Sequence, residues 1–233
     1  MFKLKLMKRI FIILSFLIAT AAVAQTANGV AFEQQKLKQA LSYGDKTVAA
    51  NSMLSIILLE GPKSVYKDSL AYLYFNDRNF LSCFLVTNDI LKNKPDNLDL
   101  MEMNAISLES MGATEKATEA YVNLFAKTNN NYHAYKLAGL QFGMNKFEDA
   151  YASIKKADNL PDDGSVKITF QVNKNYNQNV ELKAAIAYLE GIIALNLNKN
   201  AEAKLSFERA INLFPEFVLA KSKMETLNAE TKQ

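Results

Sequence analysis

Residues 184–216 read AAIAYLEGIIALNLNKNAEAKLSFERAINLFPE. Two apolar runs flank a polar break at Asn198-Lys199-Asn200, and Pro215 stands at the end of the second run. Asn supports the backbone of a tight turn, and proline cannot continue a helix. The stretch therefore predicts helix, turn, helix, stop. Gly191 lies twelve residues before Ala203, one small residue in each half. Two helices approach closely where small side chains face each other, so this pair predicts the seam of a helical hairpin. Ala210, seven residues past Ala203, continues the stripe at helical spacing.

Upstream, the same columns recur. The Ala203 column continues through Ala150, Ala117, Cys83 and Ala49, at separations of 53, 33, 34 and 34 residues. Twelve residues before each lie Ala138, Ala105, Ala71 and Leu37, and seven past each lie Ala157, Leu124, Ile90 and Ile56. Polar breaks separate the columns at Gly44-Asp45-Lys46, Asn76-Asp77-Arg78-Asn79, Gly112-Ala113-Thr114 and Gly143-Met144-Asn145. The prolines keep the same measure: Pro62 and Pro95 are 33 apart, Pro95 and Pro161 66, and Pro161 and Pro215 54. Columns and prolines both place an extra segment of about 20 residues before the last unit, and a fixed period of this size predicts a repeat architecture. Asn145 with Glu148 predicts a capping box on the second helix of its pair.

These columns resemble the tetratricopeptide repeat (TPR) family, and the last unit resembles it most fully, with Tyr188, Gly191, Ala203, Phe207, Ala210 and Pro215 at the family's spacings. Thr87 stands where a bulky residue is usual and Asn129 where proline is usual. The resemblance implies an all-α fold, an α-solenoid of five TPR-like helical hairpins near residues 30–63, 64–97, 98–130, 131–160 and 184–216. A C-terminal capping helix is expected over 217–230, because a stacked array leaves an apolar end that needs a lid. There Phe217, Ala220, Met224 and Leu227 share one helical face, opposite Lys221, Lys223, Glu225 and Thr226.

The extra segment, 161–183, has a different period. Val166, Ile168, Phe170 and Val172 alternate with Lys167, Thr169, Gln171 and Asn173, the two-residue rhythm of a half-buried strand. Asn173-Lys174-Asn175-Tyr176-Asn177 predicts a turn, and Val180 and Leu182 resume the alternation. A short β-hairpin insertion follows, and since an isolated hairpin is barely stable in water, its apolar face must rest on the fourth or fifth helical pair.

The N-terminus predicts a compartment. Lys3, Lys5, Lys8 and Arg9 precede an apolar run from Ile10 to Ile18 and small residues ending Ala22-Val23-Ala24, the layout of a signal peptide over 1–24, with a mature domain of 25–233 and a periplasmic or secreted location. Four of the 27 Lys and Arg lie in that segment, leaving 23 against 24 Asp and Glu. Such a balance gives no pull toward phosphate backbones, so no nucleic acid is expected as partner, and no membrane span is expected after cleavage. Cys83 is the sole cysteine, which excludes an internal disulfide and sits in a packing column.

Catalysis needs convergent groups, and few are offered. His133, the single histidine, is expected in a partly exposed surface role. No Cys or His pair has metal-ligand spacing, no glycine-rich phosphate loop is present, and Asp162-Asp163-Gly164 predicts a turn rather than a calcium loop. No catalytic, metal or cofactor site is expected. Binding remains, and the TPR resemblance implies that first helices line a concave groove, here with Asp68, Tyr72, Asp99, Glu102, Tyr132, Tyr135, Lys136 and Phe142. The aromatic residues of that set have packing between repeats as their competing role. The expected function is a non-catalytic protein–protein interaction scaffold of the cell envelope, holding a protein or peptide partner. The alternatives are an exported enzyme or glycan-binding protein using 161–183, and a structural homo-oligomer.

Overall fold

The computed structural model describes residues 27–230; the expected signal segment, 1–24, lies outside the described residues. Helices α1 (27–42), α2 (Lys46–Glu60), α3 (Tyr66–Asn76), α4 (Phe80–Leu91), α5 (Leu98–Ser110), α6 (Thr114–Thr128), α7 (Asn131–Gly143) and α8 (Phe147–Asn159) come first. Strands β1 (Lys167–Asn173) and β2 (Tyr176–Glu181) follow, then α9 (Leu182–Asn196), α10 (Asn200–Leu213) and α11 (Val218–Glu230). The chain divides into two compact units, Met1–Met103 and Asn104–Gln233. Among the described residues, no helix is long and apolar enough to cross a membrane.

One backbone device makes every hairpin turn. Gly44, Arg78, Gly112, Asn145 and Asn198 all have positive φ, between 56° and 73°. The next residue's N–H reaches back five positions each time: Asp45 to Ala40, Asn79 to Tyr74, Ala113 to Leu108, Lys146 to Gln141 and Lys199 to Ala194, at 2.9–3.0 Å. This is the helix-ending bond pattern that satisfies the last carbonyls with one left-handed residue. Asp45 and Asn79 then cap α2 and α4 through their carboxylate and amide oxygens, on Val48 N and Ser82 N. The capping box expected from Asn145 and Glu148 does not form. Asn145 is the left-handed residue itself, φ 59°, so Lys146 becomes the N-cap and gives no side-chain bond.

The predicted small-residue columns are the cores. In the first unit, Leu37, Ala49, Ile56 and Leu70 form one buried cluster, and Ala71, Cys83, Ile90, Leu100 and Met103 another. In the second unit, Ala134, Ala138, Ala150, Ile154, Ala157, Leu182 and Ile186 pack together, and Ala194, Ala203, Phe207 and Leu227 form a further cluster. Thr87, placed where a bulky side chain is usual, is buried and bonds the Cys83 carbonyl at 2.8 Å.

The insertion is an antiparallel hairpin pairing Lys167 with Glu181 and Thr169 with Asn179. Its turn is tighter than expected: only Lys174 and Asn175 turn, while Tyr176 and Asn177 already belong to β2. Val166 and Ile168 pack against the Ala134–Ile186 cluster, and Phe170 and Val180 join Ala184, Ala187, Phe217 and Ala220. The apolar face thus rests on both the fourth and fifth helical pairs. Buried Gln178 completes the tie, its Nε2 donating to the Glu216 carbonyl and its Oε1 accepting from Val218 N at 3.1 Å. On α11, Ala220 and Leu227 face inward.

Candidate partner-binding surface

The eight residues expected to line a groove all lie on first helices, four in each unit. Asp68 and Tyr72 are on α3, Asp99 and Glu102 on α5, and Tyr132, Tyr135, Lys136 and Phe142 on α7.

In the first unit, a tyrosine is set among acids. Tyr72 is 44% exposed, and its hydroxyl donates to Asp99 Oδ2 at 3.5 Å. Lost solvation, then the charges of Asp99 and Asp68, push the phenol above its ordinary value. Asp68 and Asp99 sit in the first turns of their helices, where the positive end of the helix dipole favours carboxylates. Asp68 also takes Lys94 Nζ at 2.7 Å. Below it a cavity of about 400 Å³ is lined by Lys63, Ser64, Lys67, Asp89 and Lys94. Lys67 bonds Asp89 at 2.6 Å, and that hydrogen bond and charge hold the Asp89 carboxyl below its ordinary value. The cavity is therefore already internally paired. What remains open to a partner is the Tyr72 ring with Asp99 beside it.

In the second unit the aromatic residues are half-buried. Tyr132, Tyr135 and Phe142 pack against the Ala134–Ile186 cluster, and Phe142 meets Phe147 at 5.5 Å between ring centroids. Burial, then nearby Tyr132 and Glu109, drive the Tyr135 hydroxyl well above the usual tyrosine range. Lys136 is held by Glu109, 2.5 Å away, and the same carboxylate accepts from Tyr121 at 3.1 Å. Glu109 was not expected here. Its partners lie 27 and 12 residues onward, and a periodic pattern of apolar residues says nothing of such polar pairs.

His133 departs from expectation: it is 7% exposed. Its Nδ1 is hydrogen-bonded to Thr128 Oγ1 at 2.8 Å, and that hydroxyl also lies 2.9 Å from the Leu124 carbonyl. The Tyr121 and Tyr132 rings lie 6.4 and 5.9 Å away. Being in the first turn of α7 did not expose it, since Thr128 at the end of α6 and the Tyr121 and Tyr132 rings lie against it.

A second polar network went unforeseen. Glu190, buried on α9, takes Arg209 Nη2 at 2.6 Å and Lys155 Nζ at 3.2 Å, and Arg209 Nη1 reaches Asp158 at 2.8 Å. Burial alone would lower the Lys155 ammonium, but the Glu190 bond and charge outweigh it and raise it. The network fastens α8 to α9 and α10.

No protein-family model and no curated protein matches this chain. Solved structures do. YrrB, a TPR protein with an unusual peptide-binding site, is similar at 12% identity and a TM-score of 0.65, over 88% of this chain and 97% of that one. MamA from Desulfovibrio magneticus RS-1 is similar at 12% identity and a TM-score of 0.60, over 82% and 97%. PilF of Pseudomonas aeruginosa is similar at 17% identity and a TM-score of 0.54, over 71% and 68%. At these identities the likeness speaks for the fold alone: this chain has the all-α repeat-solenoid fold of TPR proteins, with a short β-hairpin set into it.

Proposed function

We propose that this chain is an exported, non-catalytic scaffold or adaptor of the cell envelope that holds a protein or peptide segment against the first helices of its hairpins. The observation that carries the reading is the exposed Tyr72 ring beside Asp68 and Asp99. An aromatic plate at low entropic cost, rimmed by carboxylates, suits a segment offering an apolar anchor and a basic residue. The acidic rim disfavours a partner held by its terminal carboxylate. On α7, in the second unit, Tyr132, Tyr135 and Phe142 are already engaged with that unit's core and offer a partner less. Support from likeness comes through the fold of YrrB, a TPR protein with an unusual peptide-binding site. Export rests on the basic, apolar and small-residue layout of residues 1–24.

The test is a pull-down of the full chain from envelope extract, with a hydrolase screen of the same preparation. A partner retained by the parent chain and lost from Tyr72→Ala, with helical content unchanged, supports the reading. Undiminished capture by Tyr72→Ala, Tyr135→Ala and Phe142→Ala would refute the groove, and hydrolase activity would refute the non-catalytic role.

A further inference from the structure

Where the β insertion leaves α8, its first residues meet the start of α7. Asn130, Asn131, Pro161, Asp162, Asp163 and Val166, with Ser165, line a cavity of about 310 Å³, the lower end of the range of small-molecule pockets. Its base is firmly held. Asn130 Oδ1 caps α7 by accepting from Tyr132 N and His133 N, and Asp163 Oδ1 accepts from Ser165 N at 2.9 Å. The Val166 carbonyl accepts from Leu182 N at 3.1 Å, and Lys183 Nζ closes the end of α8 on the carbonyls of Asp158 and Leu160.

One group in this wall is unsatisfied. Asn131 is 6% exposed, and its Nδ2 has no hydrogen-bond partner among the described residues. A buried amide left without an acceptor costs free energy, and such a group calls for an explanation. Asp162 likewise makes no hydrogen bond or ion pair among the described residues, and it faces the same cavity.

Charge narrows the ligand. Two carboxylates repel an anion. The N-terminus of α7 carries the positive end of the helix dipole, which disfavours a cation, and a cation offers nothing to an amide N–H. A neutral group that donates and accepts at once meets both demands. A sugar hydroxyl does so, giving its hydrogen to a carboxylate while its oxygen takes the amide N–H. The terminal torsion of Asn is broad, so the amide can turn to such a hydroxyl without leaving a rotamer well.

We infer that the cavity between the start of α7 and the root of the β insertion is a carbohydrate subsite, in which Asp162 and Asn131 share the hydroxyls of one pyranose unit. The subsite shares no residue with the first-helix surface around Tyr72, so either proposal can fail alone. The cavity of about 310 Å³ has room for one such ring, and the entrance through exposed Asp163 and Ser165 leaves room for the next unit of a glycan.

The test is isothermal titration of the full chain with methyl glycosides of glucose, galactose and mannose, with N-acetylglucosamine, and with its linear tetramer. Calcium chloride and inorganic phosphate are titrated separately. At least one sugar should bind with a dissociation constant on the order of 1 mM or tighter, weakened about tenfold or more by Asp162→Asn and by Asn131→Ala. Far-UV circular dichroism establishes that both variants keep their helices, and Asp163→Asn serves as a second variant if either does not. Tighter binding of the tetramer than of the monomer assigns the site to a polymer, and equal binding to a free sugar. The inference is overturned if no sugar binds at about 20 mM, if binding survives the substitutions, or if calcium or phosphate alone binds and loses its site in Asp162→Asn.

Discussion

A Cβ placed on Gly191 would lie 2.6 Å from the Phe207 ring. Phe207 is fully buried among Ala194, Ala203 and Leu227, so the ring has nowhere to retreat. This contact is the physical content of a small-residue column: α9 and α10 meet where one helix gives up its side chain to admit an aromatic ring from the other. Gly191→Ala should therefore destabilise the chain by about 1–3 kcal/mol through overpacking, even though alanine is the better helix former by about 1 kcal/mol. Urea unfolding followed by circular dichroism checks this, and Phe207→Leu in the same chain should recover part of the loss.

The apolar columns were readable for the same reason. Ala49, Cys83, Ala117, Ala150 and Ala203 are all fully buried, because a seam between helices repeats with the chain and tolerates nothing large. The alternation from Val166 to Val172 was equally open to reading, since a strand with one covered face must alternate. Polar placement was not. Asn145 serves the left-handed turn that Gly44 and Gly112 serve elsewhere, and a capping residue and a turn residue look alike in one sequence. Glu190 and Arg209 are 19 residues apart, and Arg209 and Asp158 are 51 apart, distances at which periodicity carries no information about charge pairing. Of the surface residues, Tyr72 and Asp99 are assigned to first helices by the resemblance alone, without their bond to each other, and the depth of Tyr135 depends on packing that no single helix reveals.

Glu190 is fixed by two cations. Arg209→Ala should cost about 1–3 kcal/mol, because it leaves part of a buried carboxylate unpaired. Replacing both members, Glu190→Leu with Arg209→Met, should restore much of that stability, since apolar pairs of similar volume often substitute for buried ion pairs without loss. Thermal unfolding of the parent, the single variant and the double variant decides it; a double variant less stable than the single would contradict the assignment.

Gln178 bonds both the Glu216 carbonyl and the Val218 N–H, joining the hairpin to the entry of α11. Gln178→Ala should cost about 1–3 kcal/mol by leaving both backbone groups unsatisfied. Hydrogen exchange at the Val218 amide should accelerate while exchange in the middle of α7 stays as it was.

Tyr135 gives the pH dependence a definite sign. Its folded value lies above the ordinary 10.0, so folding holds the phenol protonated. The stability this contributes is whole below about pH 10 and is lost as pH climbs from there toward the folded value. Tyr188, Tyr151 and Tyr72 are raised as well, each chiefly by burial, and act in the same direction. Tyrosinate absorbance should therefore show only some of the ten tyrosines ionising near pH 10, the rest following at higher pH together with loss of helix. All ten ionising in one step near pH 10, with helix intact, would contradict the packing assigned to Tyr135.

Photo-crosslinking in the cell envelope probes the proposed binding surface at single positions. A photoreactive phenylalanine analogue is placed at Tyr72, Glu102 or Tyr132 on first helices, and at exposed Glu119 or Lys204 on the second helices α6 and α10. The groove reading predicts one shared protein adduct from the first-helix positions and little or none from Glu119 and Lys204. Adducts confined to the second-helix positions, or equal from both sets, would contradict it.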